Sequence, residues 1–211
     1  MALGTDWALD WLSRSAATIA AERSHLNTLD REIGDGDHGE NLDRGFTAVL
    51  AELADFDDGA VPSDVLKRTA MKLISTVGGA SGPLLGTAYL KGAAAVADLP
   101  ELDGAALVAM LTAALDGVVL RGKAIPGDAT MIDAWTPAVD AATRALAEGQ
   151  SESEILDAAA TAAEEGAVAT EPIVARKGRA SYLGERAIGH RDPGAQSSAL
   201  LLREAANAAI A

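Results

Sequence analysis

No stretch of this chain alternates apolar and polar residues with a period of two. Its apolar residues recur at three- and four-residue spacing, in runs too long for strands. That pattern excludes a sheet as the organising element and predicts an all-α protein. Composition agrees: alanine supplies roughly a fifth of the 211 residues, while aromatics are only 3%. Alanine is the best helix former, whereas aromatic and β-branched residues favour strands.

Periodicity and capping residues divide the chain into about eight helices. Thr5 is read as the N-cap of a first helix, Asp6 to Leu29. Asn41 is read as the cap of a second, running to Leu53, and Ser63 as the cap of a third that stops at Gly78-Gly79. A fourth spans Gly82 to Asp98. Asp103 caps a fifth with a stripe of Leu107, Met110, Leu111, Leu115 and Val118. A sixth spans Thr130 to Glu148, with a bend expected at Pro137. Ser151 and Glu154 form a capping box for a seventh, to Thr170. Asp192 followed by Pro193 is an N-cap and first-turn pair for the last. The segment from Arg176 to Arg191 gives no clear element.

Four glycine-rich segments interrupt the helices, at 32–40, 78–82, 122–130 and 176–194. They follow the first, third, fifth and seventh helices. Helices joined by short loops pack as antiparallel neighbours. An up-down bundle or closed helical barrel therefore carries all four segments at one end, where they can share a site. No linker or 20–50-residue repeat is visible, and residues 1–211 read as one domain.

Charge narrows the partners. Seventeen basic residues face 31 acidic ones, for a net charge of −14. Nucleic acid and anionic membranes are poor partners for such a surface. There are no cysteines, which excludes disulfides, thiolate metal sites and a cysteine nucleophile. The N-terminus shows no signal-peptide pattern, and no apolar run of membrane-spanning length is evident. A cytoplasmic location is expected.

The first chemical motif is Asp30-Arg-Glu-Ile-Gly-Asp35-Gly-Asp37-His38-Gly39-Glu-Asn41. Three carboxylates converging at about 5 Å would repel by roughly 3 kcal/mol per pair at an effective dielectric of 20. Such a cluster wants a cation, and oxygen-only ligands favour Mg²⁺ or Ca²⁺. Taken alone, the motif also reads as a solvated acidic loop. Its glycines fit the dinucleotide fingerprint, but no strand precedes them. An EF-hand starting at Asp35 fails because its sixth position is Glu40 and its twelfth Phe46.

The second motif, Gly78-Gly79-Ala80-Ser81-Gly82-Pro83, ends one helix and opens the next. Free amides at a helix N-terminus beside a hydroxyl can cradle an anion, although a plain turn has the same composition. The third, Gly122 to Met131, is a Pro-Gly turn entering a helix with Thr or Asp as cap. Met131 could lie against a flat ring or simply in the core. The fourth places five Arg or Lys among the sixteen residues 176–191. Near an acidic metal site they read as a phosphate clamp; alone they read as a surface loop balancing charge. His190-Arg191-Asp192 mimics the protein-kinase catalytic loop, but Ser197 occupies the required Asn position. Together the four suggest Mg²⁺-assisted binding of a phosphorylated anion, the requirement of phosphoryl transfer.

The runs LDREIGDGDHGENLDRGF, GGASGPLLGTAYL, RGKAIPGDATMIDAWTPA and ARKGRASYLGERAIGHRDPGAQS resemble, in the same order, the nucleotide-binding L subunits of dihydroxyacetone kinases (DhaL). The resemblance covers nearly the whole chain. It implies an antiparallel eight-helix barrel with ADP or ATP at one end and two Mg²⁺ on Asp30, Asp35 and Asp37. His38, Gly39, Asn41, Gly79, Ala80 and Ser81 are implied along the phosphates, as is His190. Gly122, Thr130 and Met131 are implied at the adenosine. Arg179 is implied as the catalytic cation, with Asp192, Pro193 and Gly194 completing the pocket. The implied partners are a separate K subunit (DhaK) that holds dihydroxyacetone through a histidine and, in phosphotransferase-system members, the phosphocarrier DhaM, which rephosphorylates resident ADP from phosphoenolpyruvate. The absence of a K domain favours the separate-subunit type, and a homodimer is left open. The alternatives are a nucleotide-loaded module regulating a transcriptional activator and an ATP-exchanging kinase subunit for a related ketose such as erythrulose. Two positions depart from the family pattern. Ala129 stands where Lys can occur, so a positive contact is expected to be missing. Gly36 stands where Ala is common, so a looser metal loop is expected.

Overall fold

A computed structural model describes residues 3–54, 56 and 59–210. Eight α-helices follow one another: α1 (Thr5–Ile33), α2 (His38–Leu53), α3 (Pro62–Thr76), α4 (Ser81–Ala95), α5 (Gly104–Gly122), α6 (Ile132–Ala147), α7 (Glu152–Val168) and α8 (Pro193–Ala208). A 3-10 segment, Arg179–Ala187, lies between α7 and α8. The described residues contain no strand, only an isolated bridge between Leu3 and Leu102.

Each helix packs on the next, and α8 returns to α1, so the ring closes. Two indoles fasten the closure. Trp7 Nε1 donates to the Ala205 carbonyl at 3.0 Å and Trp11 Nε1 to the Leu201 carbonyl at 2.8 Å. Their rings stack at 5.3 Å between centroids. Buried hydrogen-bonded indoles supply both large apolar area and a fixed register. The ring interior is filled by Leu12, Ile19, Leu42, Phe46, Leu73, Leu85 and Leu107 among others. Small residues allow the helices to approach closely. A Cβ on Gly166 of α7 would collide with the Asp133 carbonyl of α6, whose helical N–H partner Pro137 removes. The helix continues through Pro137 to Ala147 as one element.

Several expected caps are displaced. Gly4 precedes α1, while the Thr5 hydroxyl donates to the Ala60 carbonyl at 2.5 Å. Helix α1 runs on to Ile33 because nothing before Gly34 stops it. Asp37, not Asn41, flanks the start of α2, which leaves Asn41 in the first turn. Helix α3 begins with Pro62 at its first position, and Ser63 is buried inside it. Asp64 supplies the cap by accepting the Val61 N–H at 3.3 Å. Helix α4 starts at Ser81 and ends at Ala95. Helix α6 starts at Ile132 rather than Thr130. The caps at Asp103, Ser151 and Asp192 form as read.

Helix α5 also corrects the reading of apolar runs. Its mean hydropathy of 1.6 makes it long and apolar enough to cross a membrane by length and composition. In the fold it packs on α4 and α6, with Leu107, Met110, Leu111 and Val118 in the core.

Candidate functional site

The four glycine-rich segments meet at one end of the ring, around a cavity of about 660 Å³. Its floor and walls come from the last turn of α1, the first turns of α2, α4 and α8, the end of α5, the turn before α6 and the residues opening the 3-10 segment. Asp30, Asp35, Asp37, His38, Asn41, Gly79, Ala80, Ser81, Gly122, Thr130, Met131, Arg179, Asp192, Pro193 and Gly194 all line it.

Gly39 does not. It is buried where α2 crosses α1, and a Cβ there would collide with the Arg23 carbonyl and stand 2.9 Å from Asn27 Oδ1. Its lack of a side chain serves helix packing. His190 also lies off the cavity lining, with Nδ1 2.9 Å from Glu32 Oε2. Among the basic residues of 176–191, Lys177 and Arg179 reach the cavity. Arg191 is held by Glu171 and Gln196 at 2.7–3.0 Å.

The carboxylate cluster is built by the junction of α1 and α2. One ligand oxygen from each of Asp30, Asp35 and Asp37 lies within 4.8 Å of the others. Asp30 is buried, and its Oδ2 accepts the N–H of Asp37 at 2.8 Å and of His38 at 3.2 Å. It thereby satisfies the free amides that open α2. Gly34 makes this possible, because a Cβ would collide with Asp30 Oδ1. Asp35 and Asp37 are exposed, and Asp35 Oδ2 pairs with Arg179 Nη2 at 2.8 Å. Gly36 has φ +79, and a Cβ would stand 3.2 Å from Arg31 Cβ. The glycine therefore fits a left-handed turn that alanine would strain, which answers the expectation of a looser loop.

His38 joins three helices. Its Nε2 lies 3.0 Å from Ser197 Oγ of α8 and its Nδ1 3.3 Å from Ser81 Oγ of α4. Burial holds its pKa below the ordinary value, against the opposing charges of Asp30 and Asp37. Asp192 is pushed up to about 7 by burial, despite accepting the Ala195 N–H at 2.7 Å, and the charges of Asp133 and Asp30 add to the rise. Asp192 thus resists ionisation beside the carboxylates of Asp133 and Asp30.

The opposite wall is a cradle and a shelf. Gly79, with φ +67, and Ala80 lead into the N-terminus of α4, where Ser81 faces the cavity. Met131, Ile132, Leu84 and Val118 give an apolar surface. Leu84, Val118 and Arg121 line the site without having been read as site residues from sequence. Their spacing alone does not separate them from core or surface positions. Ala129 has φ +55 and is buried with Ile33, Ala175, Ala180 and Ala187. It anchors the basic segment rather than reaching the cavity, which accounts for a small residue at that place.

A family model described as the DAK2 domain matches residues 32–207. The protein of Escherichia coli K12 described as the PEP-dependent dihydroxyacetone kinase, ADP-binding subunit DhaL, is 45% identical over 212 residues, covering 99% of each chain. The PTS-dependent dihydroxyacetone kinase, ADP-binding subunit DhaL, of Lactococcus lactis is 40% identical, covering 94% of this chain and 95% of that one. The crystal structure of the C. freundii dihydroxyacetone kinase in complex with AMP-PNP and Mg²⁺ superposes with a TM-score of 0.70 at 26% identity. That match covers 95% of this chain and 33% of the larger kinase. On this agreement of family model, full-length relatives and fold, the chain belongs to the DAK2 domain family, as a DhaL-type dihydroxyacetone kinase subunit, a phosphotransferase component.

Proposed function

We propose that residues 1–211 act as one nucleotide-binding unit that passes a phosphoryl group from Mg²⁺-bound nucleotide to dihydroxyacetone held by a separate K subunit, DhaK. Resident ADP is rephosphorylated in place by DhaM from phosphoenolpyruvate. The observation that carries the reading is the convergence of Asp30, Asp35 and Asp37 within 4.8 Å at a cavity whose far wall is an amide cradle and an apolar shelf.

The donor set suits the proposed metal. It is all oxygen, and its two exposed members leave positions for water and phosphate, as Mg²⁺ requires. Three aspartates and ADP bring about six negative charges, of which two Mg²⁺ offset four. When bound, Mg²⁺ supplies charge neutralisation on the transferred phosphoryl group and orients it. The protein's own groups do the rest. Asp30 is fixed by the α2 amides and positions the cluster. Ser81 and the amides before α4 hold phosphate oxygens, with His38 orienting the Ser81 hydroxyl. Arg179, already beside Asp35, stabilises charge on the equatorial oxygens as the catalytic cation. Met131, Thr130 and Gly122 border the adenosine, and the Asp192-Pro193-Gly194 turn closes that side.

No remaining group in the cavity offers a ketose site with its own base. The acceptor hydroxyl must be presented within about 3–3.5 Å of the phosphoryl group, and we assign that task to the partner that caps the loop end. A cytoplasmic location, without nucleic-acid or membrane partners, accompanies this reading.

The test is reconstitution. The chain with Mg-ATP and dihydroxyacetone should form no product. Addition of DhaK should produce dihydroxyacetone phosphate, and DhaM with phosphoenolpyruvate should sustain turnover. Product formed by the chain alone, at a rate DhaK does not raise, would overturn the subunit reading. The mass of the co-purifying nucleotide separates resident ADP from exchangeable ATP.

A further inference from the structure

The turn between α5 and α6 carries Thr130 and Met131 into the cavity wall, and its backbone takes positive φ at three places. Lys123 has φ +52, Gly127 φ +89 and Ala129 φ +55. Two of these are non-glycine residues in the left-handed region, which L side chains avoid. Strained backbone persists only where its surroundings over-determine it.

The over-determination comes from one side chain. Asp133 lies in the first turn of α6 and is absent from the cavity lining. Its Oδ2 accepts the Thr130 N–H at 2.8 Å, and the Asp133 N–H returns to the Thr130 carbonyl at 2.9 Å. That much is the reach-back half of a capping box, the Thr130 Oγ1 accepting the Ile132 N–H at 3.3 Å instead of the Asp133 N–H. Its other oxygen, Oδ1, accepts the N–H of Gly127, three residues further back. Asp128 adds a lesser brace: its Oδ2 accepts the Ile125 N–H at 3.0 Å, and its carbonyl accepts the Arg176 N–H at 3.0 Å. Both oxygens of Asp133 therefore clamp the two ends of the strained Gly127–Thr130 arc. The next residue, Met131, packs beneath Gly194, where a Cβ would meet Met131 Cε at 3.5 Å.

We propose that Asp133 is a positioning residue for nucleoside recognition: by holding Gly127 and Thr130 through its two carboxylate oxygens, it sets the place of Thr130 and Met131 without touching the ligand. The inference rests on the nucleotide reading above. It predicts a split effect. Loss of Asp133 lets the arc relax and moves the nucleoside wall, while the carboxylate cluster on α1 and α2 is unaltered.

Calorimetry with Mg-ADP, and electron paramagnetic resonance titration with Mn²⁺ alone, are applied to the wild type, Asp133→Ala and Asp133→Asn. Asp133→Ala should weaken Mg-ADP at least tenfold and change Mn²⁺ affinity less than twofold. Asp133→Asn keeps one acceptor and should fall between; it also serves if the alanine variant does not fold. In the ligand-free protein the Gly127 and Thr130 amides should exchange with solvent at least tenfold faster in Asp133→Ala, with core amides such as Leu85 unchanged. Equal Mg-ADP affinity in all three, or equal loss of Mg-ADP and Mn²⁺ binding, would overturn the inference. Wild-type chain that binds no nucleotide would instead overturn the nucleotide reading, and this inference with it.

Discussion

The loop end and the helical frame of this protein are built on opposite principles. In the frame, Trp7, Leu12, Ile19, Phe46, Leu73 and Leu107 are fully or almost fully buried among apolar neighbours. Each contact there favours folding whether or not a ligand is present. At the loop end, Asp30 and Asp128 are buried and Asp192 half-buried, Gly36, Gly79, Gly127 and Ala129 take positive φ, and three carboxylates face one another. These features oppose folding of the empty protein, and in the proposed function the bound nucleotide and Mg²⁺ would offset them. Frame variants should therefore change stability without changing affinity, and loop-end variants the reverse.

The largest effect is expected in the frame. Trp7→Ala removes a stacked, hydrogen-bonded indole and should destabilise by about 3–5 kcal/mol. Urea unfolding measures it. Mg-ADP affinity of the folded fraction should stay within threefold, and a proportional loss of affinity would erase the distinction between the two regions.

Asp35→Ala should do the opposite. Charge-assisted contacts to metal and phosphate are lost together, so calorimetry should show Mg-ADP binding weakened at least a hundredfold. The ligand-free melting temperature should hold or rise, because a repelling carboxylate is gone. Unchanged affinity would mean that the acidic cluster is only a solvated face.

Ligand linkage sharpens the contrast. Mg-ADP at 100 times its Kd should stabilise the wild type by about 2.7 kcal/mol. Chelator plus dialysis should lower its melting temperature by several degrees, and Asp35→Ala should show no such response. Coincident melting curves for loaded and stripped wild type would remove the proposed link.

The smallest effect concerns pH. Burial holds the pKa of His38 below the ordinary value for an imidazole, about 6.5. The unfolded chain therefore binds a proton that the native state refuses once pH falls below about 6.5. That contribution to stability is complete above this value and declines as pH falls toward the lower native pKa. His38→Gln should flatten this part of the pH–stability curve, read by urea titration between pH 7 and 5. An unchanged slope would assign the acid sensitivity elsewhere.

Much of this molecule was legible in the order of its residues. Helix-period spacing excludes sheets, and the placement of glycine-rich segments after every second helix brings them to one end, because short connections make neighbouring helices antiparallel. Asp103, Ser151 and Asp192 announce their helices, since a cap acts on amides two or three residues away. Three aspartates among glycines announce a carboxylate cluster, for the same local reason.

What the sequence could not decide were properties that depend on distant neighbours. Gly39 carries the mark of a phosphate loop, but its role was set by Arg23 and Asn27 of α1. His190 sits in a motif rich in cations, but Glu32 drew it off the cavity. The α5 stripe identified Val118 as a core position, but that it also lines the cavity beside Gly122 depended on how α4 and the basic segment close over it. The strained arc from Gly127 to Thr130 is invisible in one dimension, since φ at Ala129 is dictated by Asp133 on the following helix and by the packing of Ile33 and Ala175. Local periodicity and capping are short-range chemistry and can be read along the chain. The direction a side chain takes is settled by which surfaces meet when the ring closes.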